Sequence, residues 1–257
     1  GMLFDQDADE TLEAADDGPV QHQGAVTGAV LAHKLGVEPL GQIRVDLDRA
    51  ALPLATERIL QRVVTAGNYK KYGSIDGGGY VWHTTGSGKT LTSFKAAQLA
   101  SRLEGIDKVL FVVDRKDLDY QTQKEYDKFE RGAANGNSST RELARQLSDA
   151  NSKIVITTIQ KLALFIKAHP GHAIYGGRVV LIFDECHRSQ FGDMHDMVRK
   201  AFKQYHLFGF TGTPIFADNA AAGGKPLFKT TEQVFGQKLH TYTIVDAIND
   251  KNVLPFR

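Results

Sequence analysis

Gly79-Tyr-Val-Trp-His-Thr-Thr-Gly-Ser-Gly-Lys-Thr-Leu-Thr92 runs an apolar strand into a Gly/Ser/Thr turn, and a helical pattern begins at the Gly-Lys-Thr that ends the turn. Strand, glycine-rich turn and helix in this order build a backbone cradle for nucleotide phosphates, because glycines let successive N–H groups point inward. Lys89 supplies a point charge for the β- and γ-phosphates, and the Thr90 hydroxyl can reach a Mg²⁺ ion. The expected nucleotide-binding residues are Thr84, Thr85, Gly86, Ser87, Gly88, Lys89 and Thr90. One position departs from the G-x-x-x-x-G-K-[ST] pattern, where His83 stands for the first glycine. The competing reading of this stretch alone is a glycine-rich loop that matches by chance.

Working outward, Pro53 opens a helical pattern through Ile59, Leu60 and Val63 that ends near Gly67. Leu91, Phe94, Ala97, Leu99 and Leu103 predict an amphipathic helix closed at Gly105. Three continuous β-rich runs follow, Lys108–Asp114, Lys153–Ile159 and Arg178–Asp184, each reading as a buried parallel strand. A helix is expected over His195–Tyr205, a strand over His206–Thr213 and a further helix over Thr241–Asn249. Charged helices are expected over Asp117–Glu130, and short ones over Arg141–Leu147 and Gln160–Ala168. Ala217–Gly224 reads as a surface loop. Strand and helix thus alternate along the chain, which predicts an α/β fold, a doubly wound and mainly parallel sheet with helices on both faces. Ligands bind such sheets at the carboxyl ends of the strands, where the polar motifs of this chain lie.

Composition bounds the rest. The 257 residues carry 31 Lys and Arg against 30 Asp and Glu. Seven of those acids (Asp5, Asp7, Asp9, Glu10, Glu13, Asp16 and Asp17) fall within the first 20 residues, leaving a basic body that is compatible with nucleic acid. The acidic start reads as a solvated tail, and 1–50 as a poorly patterned N-terminal segment, with a short helix over Ala25–Leu35 and a strand over Gln42–Leu47. No apolar run approaches the length of a membrane span, so no membrane partner is expected. The single cysteine, Cys186, and the lack of an evident signal peptide fit a reducing cytoplasm.

Val179-Val-Leu-Ile-Phe-Asp-Glu-Cys-His187 is the second anchor. A strand that ends in two carboxylates suits Mg·ATP hydrolysis, with Asp184 for the metal and Glu185 to orient and deprotonate water. His187 follows, placed to sense the γ-phosphate. Lys89, Asp184, Glu185 and His187 are the expected catalytic set, and Thr90 and Asp184 the expected Mg²⁺ ligands. The bland alternative is a strand that merely ends in a charged turn. Cys186 reads as a packing residue rather than a nucleophile, and His83 either contacts phosphate or packs beside Trp82.

The phosphate loop together with Asp184-Glu-Cys-His187 resembles the signature of superfamily 2 helicases and translocases. Fuller strings narrow the resemblance: Phe111-Val-Val-Asp-Arg-Lys-Asp-Leu-Asp-Tyr-Gln121, Thr157-Thr-Ile-Gln-Lys161, Phe183-Asp-Glu-Cys-His-Arg-Ser-Gln-Phe-Gly192, Phe208-Gly-Phe-Thr-Gly-Thr-Pro-Ile215 and Tyr242-Thr-Ile-Val-Asp-Ala-Ile248. Over about residues 55–257 the chain is similar to the motor (R) subunit of type I restriction-modification enzymes, a family that tolerates His at position 83.

The resemblance implies a RecA-like P-loop NTPase lobe over 51–240, with 241–257 starting the connection to a second lobe absent from this stretch, as is the family's nuclease. It implies ATP and Mg²⁺ as cofactors, and double-stranded DNA plus methylase (M) and specificity (S) subunits as partners. Arg115, Lys116, Thr157 and Thr158 would touch the DNA backbone, which positions DNA without reading sequence. Thr211, Gly212 and Thr213 would couple nucleotide state to DNA movement. Surface charge for Arg115, and strand-end structure for the two threonines, are the plain alternatives. The adenine-reading Gln of many such motors has no counterpart in Ala50-Ala-Leu-Pro-Leu-Ala55. Rival functions are a superfamily 2 motor of type III restriction or repair, a nucleotide-gated DNA-binding module, and a small-molecule kinase.

Overall fold

The computed structural model describes residues 51–84, 87–113, 139–188, 192–216 and 230–250. Six parallel strands form one sheet: β1 (Gly79–His83), β2 (Lys108–Val113), β3 (Ile154–Thr158), β4 (Arg178–Phe183), β5 (Gln204–Thr211) and β6 (Lys238–Tyr242). Their order is β3-β2-β4-β5-β1-β6. From β1 the chain crosses two strand positions to β2, steps out to β3, and returns through β4 and β5 to fill the gap. β6 then lies beyond β1. This is the doubly wound architecture expected of the alternating pattern, with an edge strand that the sequence reading lacked.

Side chains alternate across the sheet, as period-2 geometry requires. Val109, Phe111 and Val113 of β2 join one core layer with Val180 and Ile182 of β4 and Phe208 and Phe210 of β5. The helices α1 (Ala51–Asn68) and α2 (Lys89–Ala100) cover this face through Ala55, Ile59, Val63, Phe94 and Ala97. Leu110 and Val112 of β2 point the other way, with Leu181 and Phe183 of β4. That second face is covered by α3 (Thr140–Ser148), α4 (Ile159–Ala168), α5 (Asp193–Ala201) and α6 (Thr231–Phe235). The last helix, α7, spans Ile244–Asn249.

Three expectations are corrected. The helix after β4 ends at Ala201, and Gln204 and Tyr205 already belong to β5. Tyr205 pairs with Val179 of β4, so ladder pairing overrides a helical pattern there. Thr241 and Tyr242 are strand rather than helix, because they pair with Trp82 and His83 of β1. The helix begins only at Ile244, where Thr243 and Asp246 form a capping box. Finally, α2 ends at Ala100 and leaves Leu103 in the turn that follows. The readings over Ala25–Leu35, Gln42–Leu47, Asp117–Glu130 and Ala217–Gly224 lie outside the described residues.

A candidate nucleotide site at the carboxyl ends of β1, β4 and β5

The cluster is assembled from three strand ends. β5 lies between β1 and β4, and pairs Trp82 with Thr211 on one side and Phe183 with Gly209 on the other. The chain after β1, the turn after β4 and the end of β5 therefore converge at one edge of the sheet.

Gly88 caps α2 in the left-handed region at φ +77°, a conformation that glycine adopts without a Cβ penalty. This aims Lys89, the first residue of α2, across the sheet. Lys89 Nζ lies 3.1 Å from Asp184 Oδ1 and donates to Glu185 Oε1, residues that stand 95 and 96 positions away. Lys89 and Asp184 are both buried, at 8% and 7% exposure, whereas Glu185 is half-buried. Burial alone would lower the Lys89 ammonium, but the Asp184 charge and the hydrogen bond to Glu185 outweigh it and hold the pKa above the ordinary lysine value. Asp184 is raised by burial, with Lys89 opposing. Lys89 is thus a charge that the two carboxylates keep protonated.

Glu185 has φ +46°, a left-handed backbone that is costly for a residue with a Cβ. It opens a tight turn, with Arg188 N–H donating to Glu185 O and Glu185 N–H donating to Asp184 Oδ1. The turn brings His187 Nδ1 to 3.4 Å from Glu185 Oε2 and 2.9 Å from Thr211 Oγ1. Thr211 Oγ1 in turn accepts from the Thr213 N–H at 3.0 Å. A continuous polar path therefore runs from Lys89 through Glu185 and His187 to the Thr211–Thr213 turn. A second tie crosses the same ground, because Trp82 Nε1 donates to the Gly212 carbonyl at 3.1 Å.

Cys186 lies inside this turn, fully buried, with burial pushing its thiol well above the usual range. A Cβ on Gly209 would stand 2.8 Å from Cys186 Sγ and 3.0 Å from the Phe235 ring, so position 209 of β5 must stay bare. The sulfur packs; it is not placed to react.

The remaining expected residues fall into distinct places. Ser87 is buried at the start of α2, and its hydroxyl donates to Thr84 O. Thr90 is exposed at the first turn of α2, and the Thr84 hydroxyl is buried without a partner among the described residues. Thr85, Gly86, Arg115 and Lys116 lie outside the described residues. Thr157 is buried with no hydrogen-bond partner for its hydroxyl among the described residues, while Thr158 caps α4 by accepting from Lys161 N–H. Both hydroxyls are enclosed at the strand end. His83 faces neither phosphate nor Trp82: its Nε2 lies 2.9 Å from His240 Nδ1 on β6, with Tyr242 alongside. Sequence reasoning missed this histidine pair because β6 itself went unread.

The donor set fits Mg·ATP. Among the described residues no group of three His, Cys, Asp or Glu side chains could hold a metal by itself. Mg²⁺ asks for no such cage, since it keeps several waters and takes one or two protein groups beside the phosphates. Thr90 and Asp184 are residues of that kind. Lys89 and the left-handed Gly88 supply the cationic and backbone parts of a phosphate cradle.

Comparison with known proteins agrees with this geometry. The SWI2/SNF2 ATPase family matches residues 53–257. The type I restriction enzyme SauMSSORF170P endonuclease subunit of Staphylococcus aureus (strain MSSA476) is 50% identical over 79% of this chain, which spans 21% of that protein. A Mycoplasma pneumoniae protein ascribed to the C-terminal part of the type I restriction enzyme MpnIIP endonuclease subunit is 47% identical over 58% of this chain and 75% of its own length. Among solved structures, a nuclease-deletion mutant of the Type ISP restriction-modification enzyme LlaGI, in complex with a DNA substrate mimic, superposes with a TM-score of 0.54 at 18% identity. It covers 80% of this chain and 21% of that one, a likeness of fold. The chain thus spans about a fifth of the length of the Staphylococcus relatives it matches. With its paired carboxylates facing the lysine of a phosphate loop, this chain belongs to the SWI2/SNF2 ATPase family, as the kind found in the endonuclease subunits of type I restriction enzymes.

Proposed function

We propose that residues 51–240 are the first motor lobe of a type I restriction R subunit, and that 241–257 begin the connection to a second lobe. In the whole protein this lobe hydrolyses ATP to move double-stranded DNA, which another domain cuts, with methylase and specificity subunits as partners in the cytoplasm. Residues 1–50 form a separate acidic segment. Among the described residues no helix is long and apolar enough to cross a membrane. The observation that carries the reading is the contact of Lys89 with both Asp184 and Glu185, extended through His187 to Thr211.

Bound Mg²⁺ would supply charge neutralisation at the phosphates and would be held by Thr90 and Asp184. Lys89 binds the β- and γ-phosphates, an anion that competes with the two carboxylates for its ammonium. Thr84, Thr85, Gly86, Ser87 and Gly88 orient those phosphates through backbone N–H groups. Glu185, relieved of Lys89, accepts the proton of the attacking water and aligns it. His187 registers the altered Glu185 and passes the change to Thr211, Gly212 and Thr213. Arg115 and Lys116 hold the DNA backbone. Thr157 and Thr158 also belong to that edge, and the α4 cap supports them from below.

Replacing Glu185 with Gln in the full-length protein tests the motor reading. ATP still binds, while hydrolysis and ATP-dependent translocation of duplex DNA fall by at least about a hundredfold. Translocation at the normal rate would overturn the reading.

A further inference from the structure

We propose that a cavity between α1 and the start of β6 is a second anion site, built for the sugar–phosphate backbone of nucleic acid. The choice of nucleic acid rests on the motor reading above; the site itself rests on separate residues. The cavity measures about 550 Å³ and is lined by Arg58, Gln61, Arg62, Tyr69, Lys71 and Gln237. It lies where α1 passes the beginning of β6 and the residues just before β1, toward the amino ends of these strands. Lys89, Asp184 and Glu185 lie at the opposite, carboxyl ends, so nothing in the nucleotide cluster accounts for it.

Three cations converge here against one carboxylate. Arg58 and Arg62 stand one turn apart on α1, which places both guanidinium groups on one helix face. Arg58 spends a donor on the Leu239 carbonyl, and Arg62 donates to Asp76 O at 3.2 Å and to Gln237 Oε1 at 2.9 Å. A guanidinium carries five N–H donors, so each fork keeps capacity for a further acceptor. Lys71 lies 2.9 Å from Asp76 Oδ2 and offsets the one acidic side chain of the lining. Surplus positive charge in a concave, water-filled groove focuses the field on an incoming anion.

The form of the groove selects among anions. Two arginine forks fixed on neighbouring turns, tied at their inner donors to β6, present their outer donors in bidentate fashion, which suits phosphate oxygens. Tyr69 stands at the rim, 72% exposed, and adds an aromatic face beside the cations. Basic groups interleaved with an exposed aromatic ring are what a nucleic-acid strand uses. The lining is polar and offers no apolar pocket to anchor the side chains of an acidic peptide.

The test measures binding of a fluorescein-labelled DNA duplex of about 30 base pairs to the 257-residue chain by anisotropy, across a salt series. The double substitution Arg58→Gln and Arg62→Gln keeps an amide donor near the β6 edge while removing both charges. It is expected to weaken binding about tenfold and to make the salt dependence shallower by about two counterions. Gln61→Lys, which adds a charge to the same groove, is expected to tighten binding about threefold. This gain guards against a fold defect in the double variant. Melting temperature and binding of a fluorescent ATP analogue stay unchanged in both. An unchanged salt slope in the double variant, or no duplex binding by the wild-type chain at low salt, would overturn the proposal. Competition by polyglutamate as effective as that by unlabelled DNA would also overturn it, in favour of an acidic protein. The motor reading fails by a different result, the survival of translocation in Glu185→Gln.

Discussion

His187 Nδ1 lies 2.9 Å from Thr211 Oγ1, and this contact joins the turn that carries the carboxylates to the end of the neighbouring strand. The same hydroxyl accepts from Thr213 N–H, so one oxygen serves both the histidine and the turn that follows β5. Thr211→Val keeps the volume and removes the oxygen. In the full-length protein it is expected to lower DNA-stimulated ATP hydrolysis by about tenfold, the worth of one well-made hydrogen bond. ATP affinity, which depends on Lys89 and the loop, changes less than about twofold. An equal loss in ATP affinity, measured by analogue titration, would show that Thr211 shapes the phosphate cradle instead.

Lys89 compensates a buried carboxylate, so removing it acts on the fold as well as on nucleotide. Lys89→Ala leaves Asp184 buried without its cation and is expected to destabilise the chain by about 2–4 kcal/mol. Glu185 is one-quarter exposed, and water screens its share. Adding Asp184→Asn to Lys89→Ala removes the uncompensated charge and recovers about half of that loss. Urea unfolding of the four members of this cycle measures the coupling; additive losses would contradict it.

Acid weakens this chain through its buried histidines. His83, His195 and His206 are each pushed down to about 4, first by burial, and then by neighbours that include His240 for His83 and Arg199 for His195. For His206 the Gly77 carbonyl pulls the other way, without offsetting burial. The unfolded chain takes up these protons near pH 6.5, whereas the folded chain resists them until about pH 4. Stability is therefore complete above pH 6.5 and is lost as pH falls through that window, by up to about 3 kcal/mol per histidine. Urea midpoints at about pH 7.5 and about pH 5 check the sign, with the lower midpoint expected at pH 5.

Trp82 is the one tryptophan in the chain, and it spans the site. Its indole donates to Gly212, its ring meets Phe216 edge-on at 5.5 Å, and Lys238 Nζ lies over it at 5.6 Å. Occupation of the phosphate loop is expected to change its emission, because any shift of the Thr211–Thr213 turn alters that hydrogen bond. Trp82→Phe should abolish the signal and cost about 1 kcal/mol of stability. Fluorescence that stays constant through saturation with Mg·ATP would show that the turn does not move with binding.

Much of this could be read in the residues, for reasons that differ by element. β2 and β4 are continuous apolar runs because both of their faces are covered, and such runs announce themselves. β6 reads Lys-Leu-His-Thr-Tyr and lies at the sheet edge, so its apolar signal is weak, and its pairing with β1 is a long-range event that no local pattern records. Arg58 covers the outward Leu239 carbonyl of that edge from 181 residues away. Lys89, Asp184 and Glu185 were legible as motifs. Their mutual contact was not, because it depends on β5 inserting between β1 and β4. The same insertion seats His187 against Thr211, and it packs Thr157 and Thr158 into the strand end more deeply than a surface contact would suggest.

The buried position of Cys186 has a practical consequence. It is the sole cysteine of the chain, its thiol is enclosed against Gly209 and Phe235, and burial keeps it from ionising at neutral pH. Maleimide reagents attack thiolates that they can reach, so the natural protein is in effect blank to them. A cysteine introduced at an exposed site such as Tyr69 or Val245 would take a dye alone, without first removing a native thiol. Pairs of such sites would report distances within a motor at work, with the carboxylate turn left as it is.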